Sequence, residues 1–363
     1  MISHHNVIAQ CLQMGQVTCS DYEKALAILP LYHSEFLHLS WYATGHALGT
    51  HWARTNLNTE VTGLVNLLHL PIFRQAEILL LPKFTMEAML DAIARYELVE
   101  VLMVPAILNR LARDPLVSRY GLSSIRRFVS GAAPLPAETL RLLQEKFPNT
   151  GFKQGWGMTE TCCCVTATDP AHYDFKYAET TGVILANTEI KFIDEAGVES
   201  EEGEILVRGP QCTMGYLNAP EETQNTFLPG GWLRTGDIGR MDGEGCLTIR
   251  GRNKDLIKVK GVGVSPAELE DVLMDHPKVQ DVGVVGVPDT YSGEGPHAFV
   301  VLHADVDPSP QLAEELVQYV RDRRARPKWV KEVSFVKEIP RAGSGKLLRR
   351  QLQASIGMHV SKM

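Results

Sequence analysis

Nowhere in these 363 residues does an apolar run approach the roughly 20 residues a helix needs to cross a bilayer. A basic excess is missing too: 36 Lys and Arg stand against 43 Asp and Glu, a net charge of -7. Nucleic acid is gripped by a basic face, so that class of partner is disfavoured. There is no internal repeat and no low-complexity segment. The N-terminus has no secretory pattern, because His4, His5 and Asn6 interrupt any apolar run. Cysteine is present, but not as a framework. Seven is an odd number, and Cys162, Cys163 and Cys164 are adjacent, which suits neither disulfide pairing nor a zinc site. Reduced thiols are expected, with Cys162 to Cys164 serving as small apolar groups along a pocket wall. The remainder is ordinary for a globular chain of about two domains, at 44% hydrophobic and 22% charged.

Periodicity gives an α/β organisation. Val7, Ile8, Cys11, Leu12 and Met14 form a helical stripe. Residues 77–82 and 98–104 read as buried strands around a helix at 85–96 that carries Met86, Met89, Leu90 and Ile93 on one face. Strand–helix–strand at this spacing predicts a parallel sheet covered by helices. The unit recurs with a strand at 125–129 and a helix opening at Pro136. From residue 182 short alternating strands with Gly and Asp turns predict a small antiparallel β subdomain. After 255 a compact α+β unit follows. Its first helix is announced by Ser265-Pro266-Ala267-Glu268, a capping box with proline at the first helical position. The boundary is placed at Arg252 to Asp255, giving units 1–251 and 252–357 with a tail at 358–363.

The chemistry-bearing segments stand in a fixed order. In Gly155-Trp156-Gly157-Met158-Thr159-Glu160, a tight glycine turn precedes a hydroxyl able to bond phosphate and a carboxylate able to hold Mg²⁺, a hard cation. Ser130-Gly131-Ala132-Ala133-Pro134 follows a strand, and small residues there let a flat ligand approach the backbone. Asp237 follows Arg-Thr-Gly, and a lone Asp beside Gly is by itself more often a turn residue. Gly343-Ser344-Gly345-Lys346 is not a P-loop. That motif needs glycine where Pro340 stands and Ser or Thr where Leu347 stands.

Together these segments resemble the adenylate-forming superfamily: acyl- and aryl-CoA ligases of the coumarate–CoA ligase kind, firefly luciferases and peptide-synthetase adenylation domains. The resemblance implies an incomplete large N-terminal domain (parallel sheets with helices plus a small β subdomain) and a small mobile α+β lid. It implies that Gly131, Ala132, Ala133, Gly155, Trp156, Gly157, Met158 and Thr159 surround the nucleotide, with Trp156 stacking on adenine. Asp237 and Arg252 hold the ribose and Glu160 the metal. Lys346 bridges the acyl carboxylate and the α-phosphate, Lys254 is the hinge, and after rotation Lys258 and Gly261 face the adenylate and CoA. His33 resembles the gate of the acyl pocket. The implied substrates are a small carboxylic acid, ATP with Mg²⁺, and CoA.

Departures from the family pattern are equally specific. The Ser/Thr/Gly-rich loop that cradles the β- and γ-phosphates is not among these residues, although its successor, Ile2-Ser3-His4-His5-Asn6, is. An N-terminally truncated, impaired ligase is therefore expected. Residues 34–60 interrupt the Pro-Leu-Tyr-His33 segment, and a retained intron or a surface insertion accounts for them. Ser361-Lys362-Met363 resembles a peroxisomal address read by an import receptor. A non-catalytic remnant that binds nucleotide or CoA stands as the competing reading. A luciferase-type oxidase or an amino-acid-activating enzyme shares the same motifs.

Overall fold

The computed structural model of the chain describes residues 1–27, 61–81, 84–131, 135–341 and 347–359. Helix α1 (His4–Val17) and strand β1 (Lys24–Ala27) come first. A π-helical turn at Gly63–His69 then runs into α2 (Leu70–Phe73), followed by β2 (Glu77–Leu80), α3 (Met86–Tyr96), β3 (Glu100–Leu102) and α4 (Pro105–Arg113). Next are β4 (Arg127–Ser130), α5 (Ala137–Lys146), β5 (Gly151–Met158), β6 (Cys163–Ala167) and β7 (Val183–Ile184). Strands β3, β4 and β5 are parallel, and β6 and β7 extend that sheet antiparallel. An antiparallel sheet follows from β8 (Glu189–Ile193), β9 (Glu199–Ser200), β10 (Glu202–Arg208), β11 (Phe227–Leu228), β12 (Trp232–Met241) and β13 (Leu247–Arg252), with α6 (Pro220–Thr226) before β11. The last sheet holds β14 (Ile257–Val259), β15 (Val262–Val264), β16 (Val279–Asp289), β17 (Gly293–Leu302) and β18 (Glu332–Phe335). Helices α7 (Pro266–Met274) and α9 (Arg349–His359) pack on β16, and α8 (Pro310–Arg321) packs on β18. The fold is thus mixed α/β with several sheets. Among the described residues no helix is long and apolar enough to cross a membrane.

Helix α3 forms where the periodicity places it. Thr85 caps it by accepting from the Ala88 N–H, Glu97 ends it in the left-handed region, and Met86, Met89, Leu90 and Ile93 are buried. They meet Leu98, Val101, Phe128, Leu143 and Phe152 in one apolar core, where each such side chain contributes about 1.5–3 kcal/mol.

Several expectations are corrected. Residues 77–82 are not a buried strand of one sheet with 98–104. Strand β2 pairs in parallel with β1, in register Lys24↔Glu77 to Ala27↔Leu80, and Leu80 is exposed on its edge. Strand β3 pairs with β4 instead. Four residues with two alanines give β1 no periodic signal, so its place between the two was not legible. In α1, Val7, Cys11 and Met14 are buried as expected, but Ile8 and Leu12 are exposed, together with Ile72 and Phe73 of α2. Amides take the place of the expected apolar contacts on the inner face. Asn6 Nδ2 donates to the carbonyls of Pro210 (2.9 Å) and Cys212 (2.8 Å), and Gln13 Nε2 donates to that of Ala186 (2.6 Å). These bonds pin α1 to the antiparallel region. Ser265 makes no side-chain cap, so the capping box at α7 does not form. Its glutamate partner is engaged elsewhere, with Glu268 bonded to Lys328 (2.7 Å) and Arg324 (3.0 Å).

At the N-terminal ends of β3 and β4 lies a buried ionic group. Glu100 accepts from Arg127 Nε at 2.8 Å and from Lys153 Nζ at 3.0 Å, and Arg127 also binds Asp21. These residues lie at the opposite ends of the strands from the site described next.

Candidate nucleotide site

Ligands of parallel α/β sheets bind beyond the carboxyl ends of the strands. There, Gly131 follows β4 and Gly155 lies in β5, with Ser130 paired to Gln154 between them. Gly155-Trp-Gly157 is strand rather than the tight turn expected, and the chain turns only at Thr159–Thr161. The glycines serve strand pairing. A Cβ on Gly157 would lie 1.6 Å from the Cys163 carbonyl oxygen, and one on Gly155 would lie 3.1 Å from that of Thr166. The reversal into β6 carries backbone strain, with Cys162 at φ 48 and Cys163 at φ 109. Cys162, Cys163 and Cys164 are buried against Val7, Cys11 and Val61 rather than along an open pocket wall. Burial pushes the Cys162 thiol up to about 12.

Asp237 sits on β12, with Arg252 of β13 as its cross-strand neighbour. Its carboxylate is buried, 4% exposed, and a buried charge needs partners. Arg252 Nε lies 3.1 Å from Oδ1, and Trp156 Nε1 donates to Oδ2 at 2.9 Å. The indole ring packs against Val165, Ile205, Val207 and Leu247. Thr235 fixes the local backbone: its Oγ1 accepts from the Asp237 N–H (3.1 Å) and donates to the Ile205 carbonyl (2.8 Å). Gly236, at φ 71, supplies a conformation that other residues rarely take. Beside this group opens a cavity of about 410 Å³ lined by Thr235, Gly236, Arg252, Asn253 and Lys254.

At the end of β5, Thr159 is exposed and Glu160 half-buried. Tyr216 Oη donates to Glu160 Oε1 at 2.6 Å, and the Glu160 carbonyl accepts from the Thr213 N–H at 2.8 Å. Burial, with the Glu160 bond, pushes the Tyr216 phenol up to about 12. Tyr216 was not anticipated. It lies 56 residues from Glu160 in sequence, and only folding joins them. Among the described residues no cluster of three or more His, Cys, Asp or Glu could hold a metal. One carboxylate suffices for Mg²⁺, which keeps several waters and takes its other ligands from substrate phosphates. The donor chemistry of Glu160 and Thr159 fits that ion.

The C-terminal unit places its residues differently. Lys254 lies in the turn Asn253–Asp255 and lines the cavity. Lys258 and Gly261 lie on the β14–β15 hairpin, where Lys260 (φ 51) and Gly261 (φ 81) make the turn. Lys258 Nζ reaches Glu195 at 2.9 Å, an exposed pair of small energetic weight. His33, Ala132, Ala133, Lys346, residues 34–60 and Ser361 to Met363 lie outside the described residues. On either side of the Lys346 segment, Arg341 and Leu347 form an antiparallel bridge. Arg349, which follows, donates to Glu270 and to the Val284 carbonyl. The fold therefore brings together Gly131, Gly155 to Glu160, Asp237, Arg252 and Lys254, and holds Lys258 against Glu195.

Comparison with known proteins identifies the family. The family model for AMP-binding enzymes matches residues 59–217, and that for the AMP-binding enzyme C-terminal domain matches 268–346. The chain is 41% identical over 292 residues to 4-coumarate–CoA ligase 2 of Oryza sativa subsp. japonica, covering 77% of this chain and 50% of that one. It is 39% identical over 297 residues to 4-coumarate–CoA ligase 1 of Glycine max, covering 79% of this chain and 100% of that one. The chain spans about half the length of most of these curated relatives. The o-succinylbenzoate CoA synthetase of Bacillus subtilis, solved with its acyl-adenylate intermediate, superposes with a TM-score of 0.78 at 29% identity, over 97% of this chain and 65% of that one. The same enzyme has also been solved with ATP and a magnesium ion. Shared motifs, fold and sequence identity place this chain in the AMP-binding enzyme family, among relatives of the 4-coumarate–CoA ligases.

Proposed function

We propose that this chain carries the adenylate-handling part of an acid–CoA ligase, which joins a carboxylic acid to ATP as an acyl adenylate and then transfers the acyl group to CoA. The observation that carries this reading is the buried Asp237 carboxylate, held by Trp156 and Arg252 at the edge of the 410 Å³ cavity. A carboxylate so placed can accept hydrogen bonds from ribose hydroxyls. In this reading Gly131 and Gly155 to Met158 flank the adenine, and the Thr159 hydroxyl bonds the α-phosphate. Bound Mg²⁺ supplies charge neutralisation at the phosphates, with Glu160 as its protein ligand. Lys346 neutralises charge between the acyl carboxylate and the α-phosphorus, a role worth ~3–4 kcal/mol in a dry cleft. Rotation at Lys254 then brings Lys258 and Gly261 to the adenylate for CoA. The acid is of the aryl or medium-chain class, and Ser361 to Met363 directs the protein to the peroxisome.

The competing reading is a nucleotide-binding remnant without turnover. Both readings require adenylate binding, but only the first requires an acyl site. A stable aryl-sulfamoyl adenosine, which mimics the aryl adenylate, is expected to bind at least about 100-fold more tightly than AMP, as intermediate and transition-state mimics do. Equal affinities would leave no acyl site and contradict the ligase reading.

A further inference from the structure

The Trp156–Asp237 bond has a consequence for how nucleotide is held. We propose that Trp156 is a positioning residue for the ribose-binding carboxylate: its indole N–H fixes the plane of Asp237 before ligand arrives. The proposal rests on the reading that a nucleotide occupies the cavity beside Asp237.

Three observations carry it. The bond is well formed and buried, 2.9 Å between residues that are 9% and 4% exposed. The indole cannot easily move, because its ring is packed among Val165, Ile205, Val207 and Leu247 at the seam between β5–β6 and the antiparallel sheet. It is also a donor only, with no acceptor atom and no titration, so it always meets Oδ2 with a hydrogen. Arg252 Nε holds the other oxygen at 3.1 Å, so donors on two strands define the carboxylate plane. A group pre-set in this way loses little freedom when the ligand binds. The N–H edge of the indole, rather than its ring face, is the part that meets the carboxylate. A tyrosine or phenylalanine would fill a similar space without a nitrogen donor at this point.

The test compares AMP with 2′-deoxy-AMP by equilibrium binding to the 363-residue chain and to its Trp156→Phe variant. The native chain is expected to prefer AMP by about 10-fold, the scale of a hydrogen bond to a charged group. In Trp156→Phe that preference falls to about parity, while 2′-deoxy-AMP binds within about 3-fold of its native affinity. Retention of the native ratio by Trp156→Phe overturns the proposal. An equal loss for both nucleotides overturns it too, and points to stacking on adenine. Failure of the native chain to bind either nucleotide overturns the functional reading itself, a distinct outcome. A second measurement is independent of the phenylalanine variant's stability. In Asp237→Asn, the Trp156 indole N–H resonance is expected to shift and its hydrogen exchange to quicken. An unchanged signal overturns the proposal.

Discussion

Pyrophosphate exchange into ATP by a polypeptide of these 363 residues is expected to run at least about 10³-fold below that of a full-length relative. Removing a single preorganised donor to a developing charge costs about 10²- to 10³-fold in rate. A polypeptide of these 363 residues alone holds no Ser/Thr/Gly-rich loop of the kind that would cradle the β- and γ-phosphates in the proposed reading. In the proposed reading such a polypeptide keeps the ribose end, with Asp237, Arg252 and Trp156, which would bind nucleotide without orienting the leaving pyrophosphate. In that reading Lys346 acts at the acyl carboxylate and the α-phosphorus rather than at the leaving group. Lys346→Ala should therefore lower any residual rate by a further factor of about 10²- to 10³-fold, the loss expected of a donor acting in the transition state. The check is radiolabelled pyrophosphate exchange with ATP, Mg²⁺ and a panel of aryl acids. A rate within 10-fold of the relative's that collapses in Lys346→Ala would show that the phosphates are gripped by other means.

The largest loss of stability is expected at a position that takes no part in the chemistry. Glu100 is the shared acceptor of two nearly buried cations, Arg127 and Lys153, whose side chains are 7% and 6% exposed. Glu100→Ala leaves those charges without their common partner, and breaking a buried pair in this way costs about 3–5 kcal/mol. Denaturation in urea should show a lowered midpoint with an unchanged slope. A loss under 1 kcal/mol would mean that the cations find water or new partners. Asp21 gives the same group a pH signature. Its hydrogen bond to Arg127 holds its carboxyl below the usual range. A carboxylate with a lowered folded pKa contributes stability that is present above its unfolded value, near 4, and is lost as pH falls through the folded one. Half its side chain is exposed, so screening keeps that contribution modest.

Local signals were legible where one element carried the whole message. Helix α3 announced itself through the apolar stripe of Met86, Met89, Leu90 and Ile93 over 85–96. The short alternating strands expected after residue 182 likewise formed, as β8, β10 and β13, whereas β9, β11 and β12 gave no such signal. Failures came where a partner distant in sequence decided the outcome. Glu268 looked like half of a capping box, but Lys328, 60 residues on, takes its carboxylate. Gly155 and Gly157 looked like turn residues, and the approach of β6 makes them strand. Ile8 and Leu12 lie in an apolar stripe like Val7 and Cys11, yet no described neighbour covers them. In the candidate site, residue types able to meet phosphate and metal could be named from their chemistry, but the family resemblance was needed to assign their roles and that of Asp237. The bond from Trp156 to Asp237 could not, since 81 residues separate them and a donor-only indole N–H carries no sequence mark of its partner.

The central claim is that segments far apart in sequence meet around one nucleotide. Hydrogen–deuterium exchange with and without saturating AMP addresses it in a single experiment, peptide by peptide. Protection is expected together in peptides covering Gly131, Gly155 to Glu160, Thr235 to Asp237 and Arg252 to Lys254, with the buried helix α3 unchanged. Protection confined to just one of those segments, or appearing only elsewhere in the chain, would contradict the account.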